Sequence, residues 1–351
     1  MMKKVKKGSA LVVALAMVLS AIVIPKAYAA LAVDTTKTDC SIELNVEKNI
    51  GTFTELSKLP VEVKLYRVAA ISASGKYTVE DAFEGLDLSD ISDKTLAAQW
   101  EEKAATAVAL IDDETAVAAT VTLVNGTGTA TGLATGMYLV VPQEIESADY
   151  AYTFKPYLIS LPNNYYSEEN PDDTWVYNLV GENAVGLKPA YEDRYGDLVI
   201  EKDLKSFNAT VGGATFVFQV EAVKDYKLGL EGEAELKTVY SDVVALTFDA
   251  AGKQSLTIEK IPAGAVVTVT EIYSGGSYKV TGSDEFETVI VADEVYDQVV
   301  EETEEEIETA TVTFVNDYDG SLNGGTGVVN HFEEGNGGWV WTNGPEPEVA
   351  E

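Results

Sequence analysis

The sequence predicts an all-β protein: two immunoglobulin-like or prealbumin-like β-sandwich domains in tandem, the first with an inserted helix. Three observations predict it. Short runs rich in Val, Thr, Tyr and Phe recur along the chain, with Gly, Asn and Asp turns between them. One Ala-rich segment departs from that pattern and shows helical spacing instead. A stretch bearing Pro, charge and Gly, residues 188–196 (KPAYEDRYG), interrupts the apolar runs as a domain boundary does. The chain has 351 residues and 46% of them are apolar, enough for two such cores.

Residues 1–29 read as a secretory signal peptide. Lys3, Lys4, Lys6 and Lys7 form a charged start, residues 10–24 an apolar stretch, and Ala27-Tyr28-Ala29 a small-x-small cleavage site. The apolar stretch is shorter than the ~20 residues a membrane-spanning helix needs. The expected location is therefore secreted, extracellular or cell surface. Cys40 follows Asp39, where a lipid-attachment Cys wants a small or apolar neighbour, and as the sole Cys it has no partner within the chain.

The first domain is expected over residues 41–189. Its strand-like runs include residues 41–46, 61–68, 119–124 and 137–141. Residues 94–111 (KTLAAQWEEKAATAVALI) form the inserted helix, expected to cover a sheet, with Asp90 and Ser92 ahead of it as caps. A second domain is expected over residues 197–319, with runs at 215–222, 255–258, 266–272 and 311–315. The acidic run at 301–308 (EETEEEIE) reads as a solvated loop. Residues 320–351, rich in Gly, Asn, Glu and Pro, read as a flexible tail. Trp339 and Trp341 are unusual in such a tail and are candidates to dock on a partner.

Charge and composition exclude several functions. The net charge is −34, from 24 basic and 58 acidic residues. Nucleic acid is not an expected partner, because phosphate contacts need Lys and Arg. One Cys and one His leave no material for a zinc site, thiol catalysis or a Ser–His–Asp triad, so no metal and no cofactor are expected. Asp317-Tyr318-Asp319-Gly320 lacks the remaining spacing of a calcium loop and reads as a turn.

Three strings in the second domain stand out. They are Leu198-Val199-Ile200-Glu201-Lys202, Val267-Thr268-Val269-Thr270-Glu271 and Val312-Thr313-Phe314-Val315-Asn316. Each ends an alternating strand-like run on one polar group, and in a sandwich the three side chains can meet inside. Residue type alone favours a plainer reading: a surface Lys, a turn Asn and an exposed Glu.

Together with Phe216-Val217-Phe218-Gln219-Val220 and the loop Ile261-Pro262-Ala263-Gly264, these strings resemble the Cna-B and streptococcal pilin isopeptide-linkage families of Gram-positive surface proteins. The resemblance covers essentially all of residues 197–319. It implies an amide between Lys202 and Asn316, with Glu271 as the catalytic acid. Such a chain is no enzyme toward an outside substrate; its only catalysis is on itself.

The first domain resembles the N-terminal domains of pilin backbone proteins. Val63-Lys64-Leu65-Tyr66-Arg67-Val68, Gly136-Met137-Tyr138-Leu139-Val140-Val141, residues 156–162 and Trp175-Val176-Tyr177-Asn178 carry that likeness. Counting four on from Tyr138, the position matching Val267, reaches Pro142 where Glu271 stands in the second domain, so no comparable cross-link is expected here. Lys188, after the Trp-x-Tyr string, is the candidate sortase acceptor, though it lies further from Trp175 than the family pattern has it. The family ends in an LPxTG-like signal, an apolar span and a basic tail. Residues 343–351 (NGPEPEVAE) hold none of these, so anchoring by that route is not expected of the chain as given. The resemblance implies a structural surface protein, a pilin-like subunit or adhesin stalk, with other pilus or surface subunits and a sortase as partners. The alternative is an adhesin whose first domain binds a host, matrix or microbial ligand.

Overall fold

The computed structural model describes residues 32–46, 53–92, 94–164, 175–210, 212–226, 235–293, 309–321, 331–335 and 338–342. The signal peptide and the acidic run at 301–308 lie outside the described residues, as do the side chains of His331, Trp339 and Trp341. The protein is all-β. Contacts divide it into a first unit, residues 1–147 and 151–192, and a second, residues 148–150 and 193–351.

In chain order the strands up to residue 193 are β1 (Cys40–Asn45), β2 (Glu62–Ile71), β3 (Tyr77–Val79), β4 (Ala119–Thr122), β5 (Thr127–Leu133), β6 (Gly136–Pro142), β7 (Ile145–Glu146), β8 (Tyr150–Phe154), β9 (Tyr157–Leu161), β10 (Asn178–Leu179), β11 (Val185–Gly186) and β12 (Pro189–Asp193). One sheet runs β3-β2-β6-β9, with β4 also on β2; a second centres on β1, paired with β5, β10 and β11. Besides the short α1 (Phe53–Leu56), the first unit holds α2 (Ala97–Ala109). Its small residues Ala104 and Ala107 are buried with Met137, Leu139 and Leu158 of the sheet, which is how a helix with one apolar face sits on a pleated surface.

Two readings of this unit are corrected. Asp90 and Ser92 do not cap α2: the helix starts after Leu96, whose backbone N–H donates to Gln99 Oε1 at 2.8 Å, and Asp90 instead accepts from Lys103 Nζ at 2.6 Å. Residues 189–193, within the supposed linker, form β12 and pair in a small sheet with β8 and β7.

The second unit holds β13 (Tyr195–Leu204), β14 (Ala214–Asp225), β15 (Leu236–Phe248), β16 (Gly252–Pro262), β17 (Val266–Tyr273), β18 (Tyr278–Val280), β19 (Glu285–Val289) and β20 (Ala310–Tyr318). They make two four-stranded sheets, β16-β13-β20-β18 and β15-β14-β17-β19. The first and last strands, β13 and β20, are parallel neighbours in the middle of one sheet, with Lys202 opposite Phe314 and Leu204 opposite Asn316. Their residues alternate buried and less buried, so one face of each strand is apolar. Leu198, Ile200, Val312 and Phe314 from this sheet are buried with Phe216, Phe218, Val220, Val267 and Val269 from the other. Further along the same unit the tail is not without regular structure: β21 (His331–Gly335) and β22 (Gly338–Thr342) pair antiparallel.

Candidate functional site

The alternation that buries Leu198 and Ile200 also buries Lys202, and the one that buries Val312 and Phe314 buries Asn316. From the facing sheet, the register of Val267 and Val269 turns Glu271 inward. The three side chains predicted from sequence therefore meet in the core of the sandwich. They are interior strand positions, not strand ends: each strand continues at least two residues beyond its polar group.

Glu271 joins the other two. Lys202 Nζ donates to Glu271 Oε2 at 2.6 Å, and Asn316 Nδ2 donates to Glu271 Oε1 at 2.6 Å. Asn316 Nδ2 also lies 3.4 Å from the Ser274 carbonyl oxygen. Asn316 Oδ1 is buried and accepts no hydrogen bond among the described residues. The side chains of Lys202 and Glu271 are both 0% exposed, which removes the water that would otherwise stabilise their charges.

Sequence reading missed the walls of the site. Lys202 Nζ lies 4.5 Å from the ring centre of Phe216, 5.6 Å from Phe218 and 5.8 Å from Phe314. The period-2 placement of Phe216 and Phe218 on one face of β14 is the signal that would have found two of them. This apolar surround sets the electrostatics. Burial lowers the Lys202 pKa from its ordinary value, against the opposing hydrogen bond and charge of Glu271. Burial raises the Glu271 pKa, against the hydrogen bonds of Lys202 and Asn316, and the charge of Asp284 adds to the rise. Both shifts favour a neutral amine beside a protonated acid. Such a pair can serve as nucleophile and proton donor toward a carboxamide held on the same carboxyl.

Phe216 tests how much the wall matters. Phe216→Ala is expected to destabilise the second unit by roughly 3–5 kcal/mol through the cavity it leaves. Urea unfolding in a Glu271→Gln background, which has no acid proton at that position, isolates that packing loss.

Lys188 is apart from this triad. It lies between β11 and β12, half-buried, with Nζ 5.2 Å from the Tyr157 ring centre. Burial lowers its pKa from the ordinary value. In the first unit, the buried polar side chains among the described residues are Thr135 and Ser147.

A family described as "Domain of unknown function (DUF5979)" matches residues 198–319, the span that carries the triad. No curated protein matches the chain. The solved structures that match include pilins and adhesins. The Bacillus anthracis TIE protein is 10% identical, with 80% of this chain and 34% of that one covered, at a TM-score of 0.28; the chain thus spans about a third of it. The shaft pilin SpaA from Lactobacillus rhamnosus GG, in a point-mutant form, is 16% identical over 81% of this chain and 100% of that one, at a TM-score of 0.27. GBS52, the minor pilin of Streptococcus agalactiae, is 13% identical over 82% of this chain and 99% of that one, at a TM-score of 0.23.

Proposed function

We propose that the second unit cross-links itself through a Lys202–Asn316 isopeptide bond, and that the chain is a structural cell-surface protein, a pilin-like subunit or adhesin stalk. The observation that carries this reading is Glu271 bridging a fully buried Lys and a fully buried Asn at 2.6 Å on either side. A buried Lys and Glu are costly to retain unless they are used or well paired.

In the proposed reaction the neutral Lys202 amine attacks Asn316 Cγ. Protonated Glu271 gives its proton to the amide, and the Cγ–Nδ2 bond breaks as ammonia leaves. Glu271 recovers a proton from the attacking nitrogen, so it ends as it began. The products are one amide and one ammonia. Intact-mass spectrometry of the folded protein tests this, with loss of one ammonia expected and an unaltered mass overturning it.

The mechanical reading follows from where the bond would lie. Since β13 and β20 are parallel neighbours, pulling the start of β13 against the end of β20 shears one along the other. A Lys202–Asn316 bond passes tension from strand to strand and takes residues 203–315 out of the load path. That property suits a stalk or a shaft. Lys188 is the proposed sortase acceptor. Co-expression with a pilus-type sortase and a second subunit that ends in an LPxTG-like signal is expected to give a covalent adduct that Lys188→Ala abolishes; an adduct that persists would assign the linkage to another Lys.

A further inference from the structure

We propose that Lys224 and Asp193 form a second intramolecular amide in the same unit, by loss of water. Lys224 lies on the inward face of β14, the face that carries Phe216 and Phe218, and it is 1% exposed. Its Nζ donates to Asp193 Oδ1 at 2.7 Å and lies 4.0 Å from the Tyr150 ring centre. Tyr226 O–H donates to the other carboxylate oxygen, Asp193 Oδ2, at 2.9 Å. The arrangement repeats what surrounds Lys202: a buried amine, a carboxyl within hydrogen-bond reach and an aromatic face. It differs in that the hydrogen-bond partner of the amine is an Asp carboxylate, so Asp193 itself is the acceptor.

The step balances as amine plus carboxylic acid giving amide plus water. Lys224 Nζ bonds to Asp193 Cγ, and Tyr226 O–H steadies the charge that builds on Oδ2. The other oxygen leaves as water, carrying the acid proton and one proton from the amine. Asp149 couples electrostatically to both groups: burial raises its pKa, and the charge of Lys224 opposes that rise. Gly264, at φ +75°, makes room for it, since a Cβ there would collide with the Asp149 carboxylate. The bond would tie the residues just ahead of β13 to the opposite sheet, closing a loop between positions 31 apart.

The test separates this bond from the first, because one loses water and the other ammonia. The wild type is expected to lose both. Asn316→Ala should lose water alone, and Lys224→Arg in that background should return to full mass. Proteolytic mapping of the wild type should join the peptide holding Asp193 to the one holding Lys224, which settles the matter even if a variant fails to fold. A wild type that loses ammonia only, or a water loss that survives Lys224→Arg as an aspartyl imide would, overturns the proposal.

Discussion

Glu271→Gln is expected to yield a folded chain at the full mass of its sequence, with the amine of Lys202 and the amide of Asn316 both unreacted. The substitution keeps the size and hydrogen-bonding shape of the side chain but removes the exchangeable acid proton. Lys202→Ala and Asn316→Ala should also show full mass, for the simpler reason that a reacting group is gone. The thermodynamic consequence is large. A cross-link between residues 202 and 316 removes the freedom of a long loop from the unfolded chain, worth about 5 kcal/mol by chain-entropy reasoning. For a domain of this size, that loss lowers Tm by about 15–25 °C. Lys202→Ala should lose more than Glu271→Gln, because it adds a cavity and leaves Glu271 buried without its Lys. Lys202→Met fills that space with an uncharged chain and should fall between wild type and Lys202→Ala. Calorimetry on the set, read beside the masses, separates cross-link from packing. A Glu271→Gln protein that still loses ammonia would remove Glu271 from the reaction.

The strand content of both units was legible because burial on one face writes period 2 into the chain. The same period explains why the triad was legible: Lys202, Glu271 and Asn316 each extend an apolar i, i+2 series, and the core positions continue through them. What the series does not encode is where a strand stops, so the polar residues read as ends when they are interior. β15 escaped notice because it is an edge strand whose Leu236, Lys237 and Thr238 are exposed, and burial imposes no alternation there. Residues 189–193 looked like a linker because charge and Pro dominate them, while backbone pairing, which ignores side chains, makes them a strand. Lys224 was invisible for a related reason. It sits in a polar string, Lys224-Asp225-Tyr226-Lys227, that suggests a solvated strand end, and its partner Asp193 is 31 positions away. The caps ahead of α2 failed because a side-chain amide two residues inside the helix did that work from Gln99.

The rate of ammonia loss should be bell-shaped in pH. Lys202 and Glu271 share a carboxyl–amine contact of 2.6 Å, so they titrate as a pair. Between its two apparent pKa values the pair holds one proton, either as ammonium with carboxylate or as amine with carboxylic acid. Only the second form reacts, and burial favours it. On the acid side a second proton binds, the amine becomes an ammonium and the nucleophile is lost. Burial lowers the Lys202 pKa, so this limb falls below the ordinary Lys range of about 10.4. On the alkaline side the shared proton leaves, and the free amine faces a carboxylate with no proton to give. Burial raises the Glu271 pKa, so this limb falls above the ordinary Glu range of about 4.3. The reactive window therefore opens inward from two limbs that an exposed Lys and Glu would not supply, since for them the neutral pair is scarce at every pH. The measurement starts from wild-type chain recovered unfolded in denaturant, before the core has assembled. Dilution into buffers across the pH range, acid quenching and intact mass give the rate, while near-ultraviolet circular dichroism at each pH gives the folded fraction by which it is divided. Two falling limbs in the corrected rate are the expected result. A corrected rate that keeps climbing through alkaline pH would mean that amine deprotonation alone limits the reaction and that Glu271 donates no proton to it.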